Sequence, residues 1–124
     1  MNIDLIINQF NFKYPEKLII KNSNYKAVVT EILCEIEPTS KHSEYSFAVV
    51  VLDSSDLHYH KIITETYRIT RGILKLFIDS KPIELNEGDT YRILPGQKHR
   101  AEGNETWFEI TSNPGWTLED HILV

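Results

Sequence analysis

Short segments rich in β-branched and aromatic residues recur along the chain from residue 25 onward, and turn signals such as Arg71-Gly72 and Pro95-Gly96 separate them. No long helical period competes with them. Short strands at this spacing are typical of an all-β sandwich or barrel. We therefore predict a single-domain, closed or nearly closed β-barrel with strands at Tyr25–Leu33, Tyr45–Leu52, Glu65–Thr70, Ile73–Ile78, Lys81–Leu85, Thr90–Leu94, His99–Ala101 and Trp107–Thr111.

The chain has 124 residues and no Pro/Ser/Gly-rich linker or internal repeat divides it. Residues 1–24 are rich in Asn and Lys with short apolar clusters, and they are expected to form an N-terminal arm that leads into a first strand. Residues 25–124 are expected to form the barrel domain.

Charge and cysteine content exclude several classes of protein. Thirteen basic against eighteen acidic residues give a formal charge of −5, and no run of Lys or Arg offers the basic patch that nucleic-acid binding needs. A single cysteine, Cys34, rules out an intramolecular disulfide. Neither a signal peptide nor a membrane-spanning apolar stretch is recognisable, so the predicted compartment is the cytoplasm, without membrane contact.

One strand is apolar on both faces. In Phe47–Leu52 every residue is apolar, so one face is expected to line the barrel and the other to meet a second layer or a partner subunit. Trp107 and Phe108 must likewise point to opposite sides of their strand. These patterns predict a homodimer.

Two short stretches carry candidate metal ligands. His58 and His60 share one face of an extended strand, as two imidazoles from one strand must if they bind the same ion. Glu65 can add a carboxylate oxygen from the next strand, and His99 can arrive from a later one. Three histidines and one glutamate leave open coordination positions and suit one divalent ion of Mn, Fe, Co, Ni or Zn.

The spacing His58-x-His60-x4-Glu65-x6-Gly72 resembles the first motif of the cupin superfamily, and Gly88-x6-Pro95-Gly96-x2-His99 resembles the second. This resemblance implies a double-stranded β-helix, also called a jelly-roll or cupin barrel, that holds one divalent metal through His58, His60, Glu65 and His99. With the tail Pro114-x-Trp116-x-x-Glu119-Asp120, the chain is most similar to the mannose-6-phosphate-isomerase-like cupins. That resemblance implies a fold and a site more than a reaction.

Residues outside the ligand set are assigned from strand parity. Tyr67 shares the face of Glu65 and is the candidate catalytic residue, because its hydroxyl could stand beside a bound substrate. Arg92 and Lys98 are candidate rim charges for an anionic substrate, and Arg100 is expected on the outer surface. His42 and His121 lie outside the motifs and receive no role.

Two classes of function remain open. The first is an enzyme that acts on a small polar or carbonyl-containing molecule through Lewis-acid chemistry, as in an isomerase, or dioxygen chemistry, as in a dioxygenase. The alternative is a non-catalytic module or sensor that binds a sugar or organic acid. The partner is a small molecule in both cases.

Overall fold

A computed structural model describes all residues 1–124 and places the chain in one curled antiparallel sheet. The predicted all-β barrel is confirmed. Its strands are β1 (Leu18–Ser23), β2 (Val29–Glu37), β3 (Ser46–Ser54), β4 (His58–Tyr59), β5 (Thr64–Arg71), β6 (Leu74–Ile78), β7 (Lys81–Leu85), β8 (Thr90–Ile93), β9 (His99–Asn113) and β10 (Ile122–Leu123).

Strand β9 is the central strand of the barrel and pairs with four other strands. Its 15 residues pair with β3 along one edge and with β5 and β6 along the other, and its first residue, His99, lies opposite His58 of β4. The remaining strands extend the sheet outward from these pairs: β1 and β2 beyond β3, β8 beside β5, and β7 beside β6. One strand thus connects the metal-ligand candidates to both halves of the barrel.

Alternation along the strands produces two separate cores. Val50 and Leu52 of β3 point into the barrel, where they join Phe108 and the apolar faces of β5 and β6. Val49 and Val51 point outward and belong to a second cluster. Val49 to Leu52 are therefore buried on both faces of the strand, which accounts for a sequence without polar alternation.

The second layer is an α-helix of this chain. In the segment predicted as an N-terminal arm that leads into a first strand, α1 (Ile3–Lys13) precedes β1. This helix buries Ile6 and Phe10 against the outer face of β2, β3 and β9. The Asn2 side chain caps the helix by accepting from the backbone N–H of Leu5 at 3.2 Å. The outer face of β3 is thus covered by a helix of the same chain. The homodimer was predicted because this face was expected to need a partner, and it stays a prediction that this face no longer supports. No helix here combines the length and apolar character needed to cross a membrane.

Trp107 also contacts this helix rather than a partner. Phe108 lies inside the barrel, whereas Trp107 points outward and meets Phe10 edge-on with ring centroids 5.2 Å apart. The opposite orientations predicted for the two aromatic residues are confirmed.

Two predicted strand boundaries were wrong. Tyr25–Ala27 forms a turn, because the Asn24 side chain accepts from the backbone N–H groups of Lys26 and Val28. The two strands predicted at His99–Ala101 and Trp107–Thr111 form one continuous strand, β9, whose register with β3 shifts around Gly103. Gly103 is needed there, because a Cβ atom would lie 2.9 Å from the Leu52 carbonyl oxygen.

Candidate metal centre

Four buried side chains meet at the junction of β4, β5 and β9. His58 lies on β4, His60 follows it, Glu65 lies on β5, and His99 begins β9. One nitrogen or carboxylate oxygen from each of the four can be chosen so that all lie within 4.8 Å of one another. The structure therefore brings together the whole predicted ligand set, although the residues come from segments as far as 41 positions apart in sequence (99 − 58).

The imidazole rings are held in one orientation by backbone carbonyl groups. Nδ1 of His58 donates to the Asp56 carbonyl at 2.7 Å, Nδ1 of His60 to the Asp120 carbonyl at 2.7 Å, and Nδ1 of His99 to the Gln97 carbonyl at 2.9 Å. Because a carbonyl oxygen only accepts, each Nδ1 carries a hydrogen. In the neutral ring the lone pair is then on Nε2, the atom that a metal would use.

The Nε2 atoms converge on one carboxylate oxygen. Oε1 of Glu65 lies 3.1 Å from Nε2 of His60 and 3.2 Å from Nε2 of His99. Lone pairs that face a carboxylate at this distance repel unless a cation lies among them, either a proton or a metal ion. The donor set of three nitrogens and one oxygen fits a divalent transition metal.

The protonation states of His58 and Glu65 agree with a ligand role. Burial, together with the neighbouring His99, lowers the pKa of His58 to about 3, so this ring is neutral at ordinary pH. Burial raises the pKa of Glu65, but hydrogen bonding with His60 and His99 outweighs it and lowers that pKa overall. Glu65 therefore stays ionised. At His60, burial lowers the pKa, but the hydrogen bond to Glu65 and its charge raise it overall, so a proton on Nε2 competes with a metal ion for this position.

Asp120, from the C-terminal tail, fixes the loop between His60 and Glu65. Its carboxylate accepts from the backbone N–H groups of Lys61 at 2.8 Å, Ile62 at 3.1 Å and Ile63 at 3.0 Å. Its own carbonyl accepts from His60 Nδ1. Burial raises the pKa of Asp120, but these three backbone donors lower it overall. One residue thus holds both the loop and the orientation of a candidate ligand, and sequence analysis assigned it no role.

We expect Asp120→Ala to weaken metal binding although all four ligand candidates remain. The substitution keeps the backbone carbonyl that accepts from His60 Nδ1, but it removes the carboxylate that ties residue 120 to the loop at 61–63. A less firmly held orienting group should cost up to roughly 10- to 100-fold in metal affinity, and unpaired loop N–H groups destabilise by about 1–3 kcal/mol each if they stay buried. Competition with a chromophoric chelator and urea unfolding measure the two effects. Because the folded pKa is lowered, the stabilisation is present at neutral pH and is lost as the pH falls through that pKa, so the difference from wild type should shrink in acid.

Glu119→Ala is the matched control, because Glu119 is the exposed neighbour in the same turn. Equal metal affinities for wild type and Asp120→Ala would show that His60 keeps its orientation without this anchor.

A cavity of about 710 Å³ opens onto the cluster. His58, Glu65 and Tyr67 line it from the barrel interior, and the tail segment 116–119 lines it from outside. This volume is within the range of small-molecule sites. Tyr67 shares the face of Glu65 as predicted, and it packs on Phe108 with ring centroids 5.0 Å apart. Burial raises the pKa of Tyr67 well above its usual range, so the hydroxyl keeps its proton.

Sequence analysis missed two further residues at this cavity. His121 stacks on His58 with ring centroids 4.4 Å apart. Because His121 lies outside the two motifs, nothing in the sequence indicated that it is part of the site. Glu31 of β2 faces the cavity from the opposite wall, and its alternation with Ile32 and Cys34 was the only available hint. Both lie within the site rather than on the general surface.

Other assigned residues lie away from the cavity. Arg92 and Lys98 are exposed and do not line it, so the predicted role as rim charges was wrong. Arg100 is on the outside as predicted, where its guanidinium covers the Phe77 ring at 3.9 Å. His42 is near Glu37, with Nε2 and the carboxylate 3.1 Å apart.

No protein-family model and no curated protein sequence matches the chain significantly. Solved structures do. Streptomyces Pac13, described as a nucleoside dehydratase, aligns with a TM-score of 0.75 at 14% identity over 88% of this chain and 85% of its own. KdgF from Halomonas sp. gives 0.61 at 13% identity over 68% and 79%. A Bacillus subtilis oxalate decarboxylase variant gives 0.71 at 15% identity over 90% of this chain and 31% of its own.

These comparisons confirm the cupin fold expected from the two motifs. The chain is a single-domain cupin-type β-barrel with a buried cluster of three histidines and one glutamate. The resemblance to the mannose-6-phosphate-isomerase-like cupins in particular is not confirmed. At such low identity the likeness shows the fold, and the chemistry must be argued from the site.

Proposed function

We propose that this protein binds one divalent metal ion at His58, His60, Glu65 and His99 and is an enzyme that acts on a small polar molecule in the adjoining cavity. The observation that carries the proposal is the convergence of buried imidazole nitrogens and an ionised carboxylate within 4.8 Å. Such a set without a cation would be strongly destabilising. Whether the reaction uses dioxygen or is an isomerisation depends on the metal. The ligand types suit Mn, Fe, Co, Ni or Zn.

When bound, the ion supplies Lewis-acid polarisation of a carbonyl or hydroxyl oxygen, or activation of dioxygen if it is iron. The chain supplies the rest. His58 is 8% exposed and lines the cavity, so the substrate would meet the cluster from that side. Tyr67, which we propose as a catalytic residue, would donate a hydrogen bond to a substrate oxygen, since its raised pKa opposes a role as base.

Similar structures support a small-molecule substrate. The Streptomyces Pac13 structure was determined with uridine, a small polar molecule. The cavity described above has room for a molecule of that size. A non-catalytic sugar or organic-acid module could use the same cavity, and substrate turnover by the metal-loaded protein separates it from an enzyme.

Metal analysis of the whole chain, purified without a tag or chelator, tests the proposal first. We expect about one divalent ion per chain, because the four donors form one cluster. Stoichiometric iron would direct the search to dioxygen consumption, and manganese, cobalt, nickel or zinc to Lewis-acid reactions. A chain that is empty and takes up none of these ions on reconstitution would contradict the proposal.

A further inference from the structure

The charge of the cavity wall restricts what the site can bind. Six acidic side chains line the cavity, and the only lysine or arginine among the lining residues is Lys21. The six are Glu31, Glu35, Glu37, Asp56, Glu65 and Glu119.

Apart from Lys21, the wall has none of the groups that usually recognise phosphate or carboxylate. Anion sites use Arg, Lys or a helix N-terminus. The only α-helix packs on the outside of the barrel, and Arg92 and Lys98 lie elsewhere on the surface. A divalent ion held by Glu65 and the three neutral imidazoles would have a net charge of +1. A phosphate ester or dicarboxylate would bring about two negative charges next to five further acidic side chains, and only Lys21 among the lining residues could offset them.

Glu31 is an acidic residue of this wall that has lost much of its hydration. It lies opposite Asn22 in the β1–β2 pair, and its Oε1 accepts from the Asn22 amide at 2.8 Å. Burial, with smaller contributions from Glu65 and Asp56, raises its pKa to about 7 even though the Asn22 bond lowers it. A ligand that donates hydrogen bonds or carries positive charge would replace the lost hydration and offset the neighbouring negative charges.

The cluster supplies an independent reason to expect a ligand here. His58 is 8% exposed, and its Nδ1 is occupied by the Asp56 carbonyl. Nε2 is not hydrogen-bonded to the protein, and the residue lines the cavity. A ligand that approaches a metal ion bound at this nitrogen would pass the acidic side chains of the cavity wall.

We propose that this cavity selects a non-anionic small molecule rich in hydroxyl or amino groups, that Glu31 and Glu35 contact those groups, and that phosphate esters and dicarboxylates are rejected. The inference rests on the proposed metal centre. It identifies the substrate class of that site and gives β2, which contributes no ligand candidate, a role in specificity.

Two probes test this on the intact chain loaded with Co²⁺, whose visible spectrum reports on ligands. Oxalate is a dianionic oxygen chelator, and imidazole at about pH 8 is a neutral ligand. Removing two nearby carboxylates should raise oxalate affinity about tenfold in Glu31→Gln/Glu35→Gln at low ionic strength, and the gain should shrink as salt is added. Imidazole affinity should change less than about twofold, since a neutral ligand has no net charge to repel.

Glu84→Gln, an exposed site on β7 outside the cavity, controls for net charge. Glu35→Gln alone leaves the Asn22–Glu31 bond intact and should give a smaller gain in the same direction if the double variant does not fold. Oxalate affinity that is equal in wild type and the double variant, with Co²⁺ bound in both, would overturn the charge selection alone. Failure of wild type and Glu84→Gln to bind Co²⁺ would instead contradict the metal centre.

Discussion

Alanine at His58, His60 or His99 is expected to reduce the metal content from about one ion per chain to a small fraction of that. Each substitution removes one of four donors, and the loss should exceed the roughly 10- to 100-fold that removal of an outer-shell partner costs. Glu65→Gln should act in the same direction, because it removes the only charge in the set. Elemental analysis after dialysis against a trace of the same metal measures the effect.

His42→Ala is the proper control for these variants, because His42 lies in a loop by Glu37 and away from the cluster. His121→Ala is not a neutral control, since its ring stacks on His58. Equal metal loss in all of these variants, including His42→Ala, would refute the ligand assignment. Normal metal content in the His58, His60 and His99 variants would do so as well.

The ligand set could be predicted because its information is local. His58 on β4, His60 directly after it and Glu65 near the start of β5 all lie within eight consecutive residues, so three donors are close together before any tertiary contact is known. His99 required only that the second motif fold back to the first. The β4–β9 pair, in which His58 lies opposite His99, is the contact that makes this true.

Residues that act through tertiary contacts could not be predicted. Asp120 reaches the loop at 61–63 from 57 to 59 positions away, and neither its type nor its neighbours indicated such a role. The helix in the N-terminal arm was not predicted for a related reason. Ile6 and Phe10 are one helical turn apart, but in a short segment this spacing is weak until the outer face of β3 provides something to pack against.

Packing of helix α1 on the barrel should contribute to the free energy of unfolding without affecting metal binding. Phe10 is fully buried in the cluster between α1 and the sheet, and its ring meets Trp107 edge-on. Phe10→Ala is therefore expected to lower the free energy of unfolding by about 3–5 kcal/mol, through lost burial and the cavity that remains. Urea unfolding followed by tryptophan fluorescence measures this. Metal content of the folded variant should stay near wild type, because the ligand candidates pack in the other core.

Phe12→Ala is the matched control, since Phe12 lies on the same helix and is 91% exposed, so its effect should be within about 0.5 kcal/mol. A loss below about 1 kcal/mol for Phe10→Ala would mean that α1 does not cover this face in solution. The apolar side chains of Val49 and Val51 would then have to be buried by something else. The sequence predicted that a second copy of the chain packs against this face. Sedimentation of wild type and Phe10→Ala distinguishes the two, because a helix-covered face requires no partner and an uncovered one does.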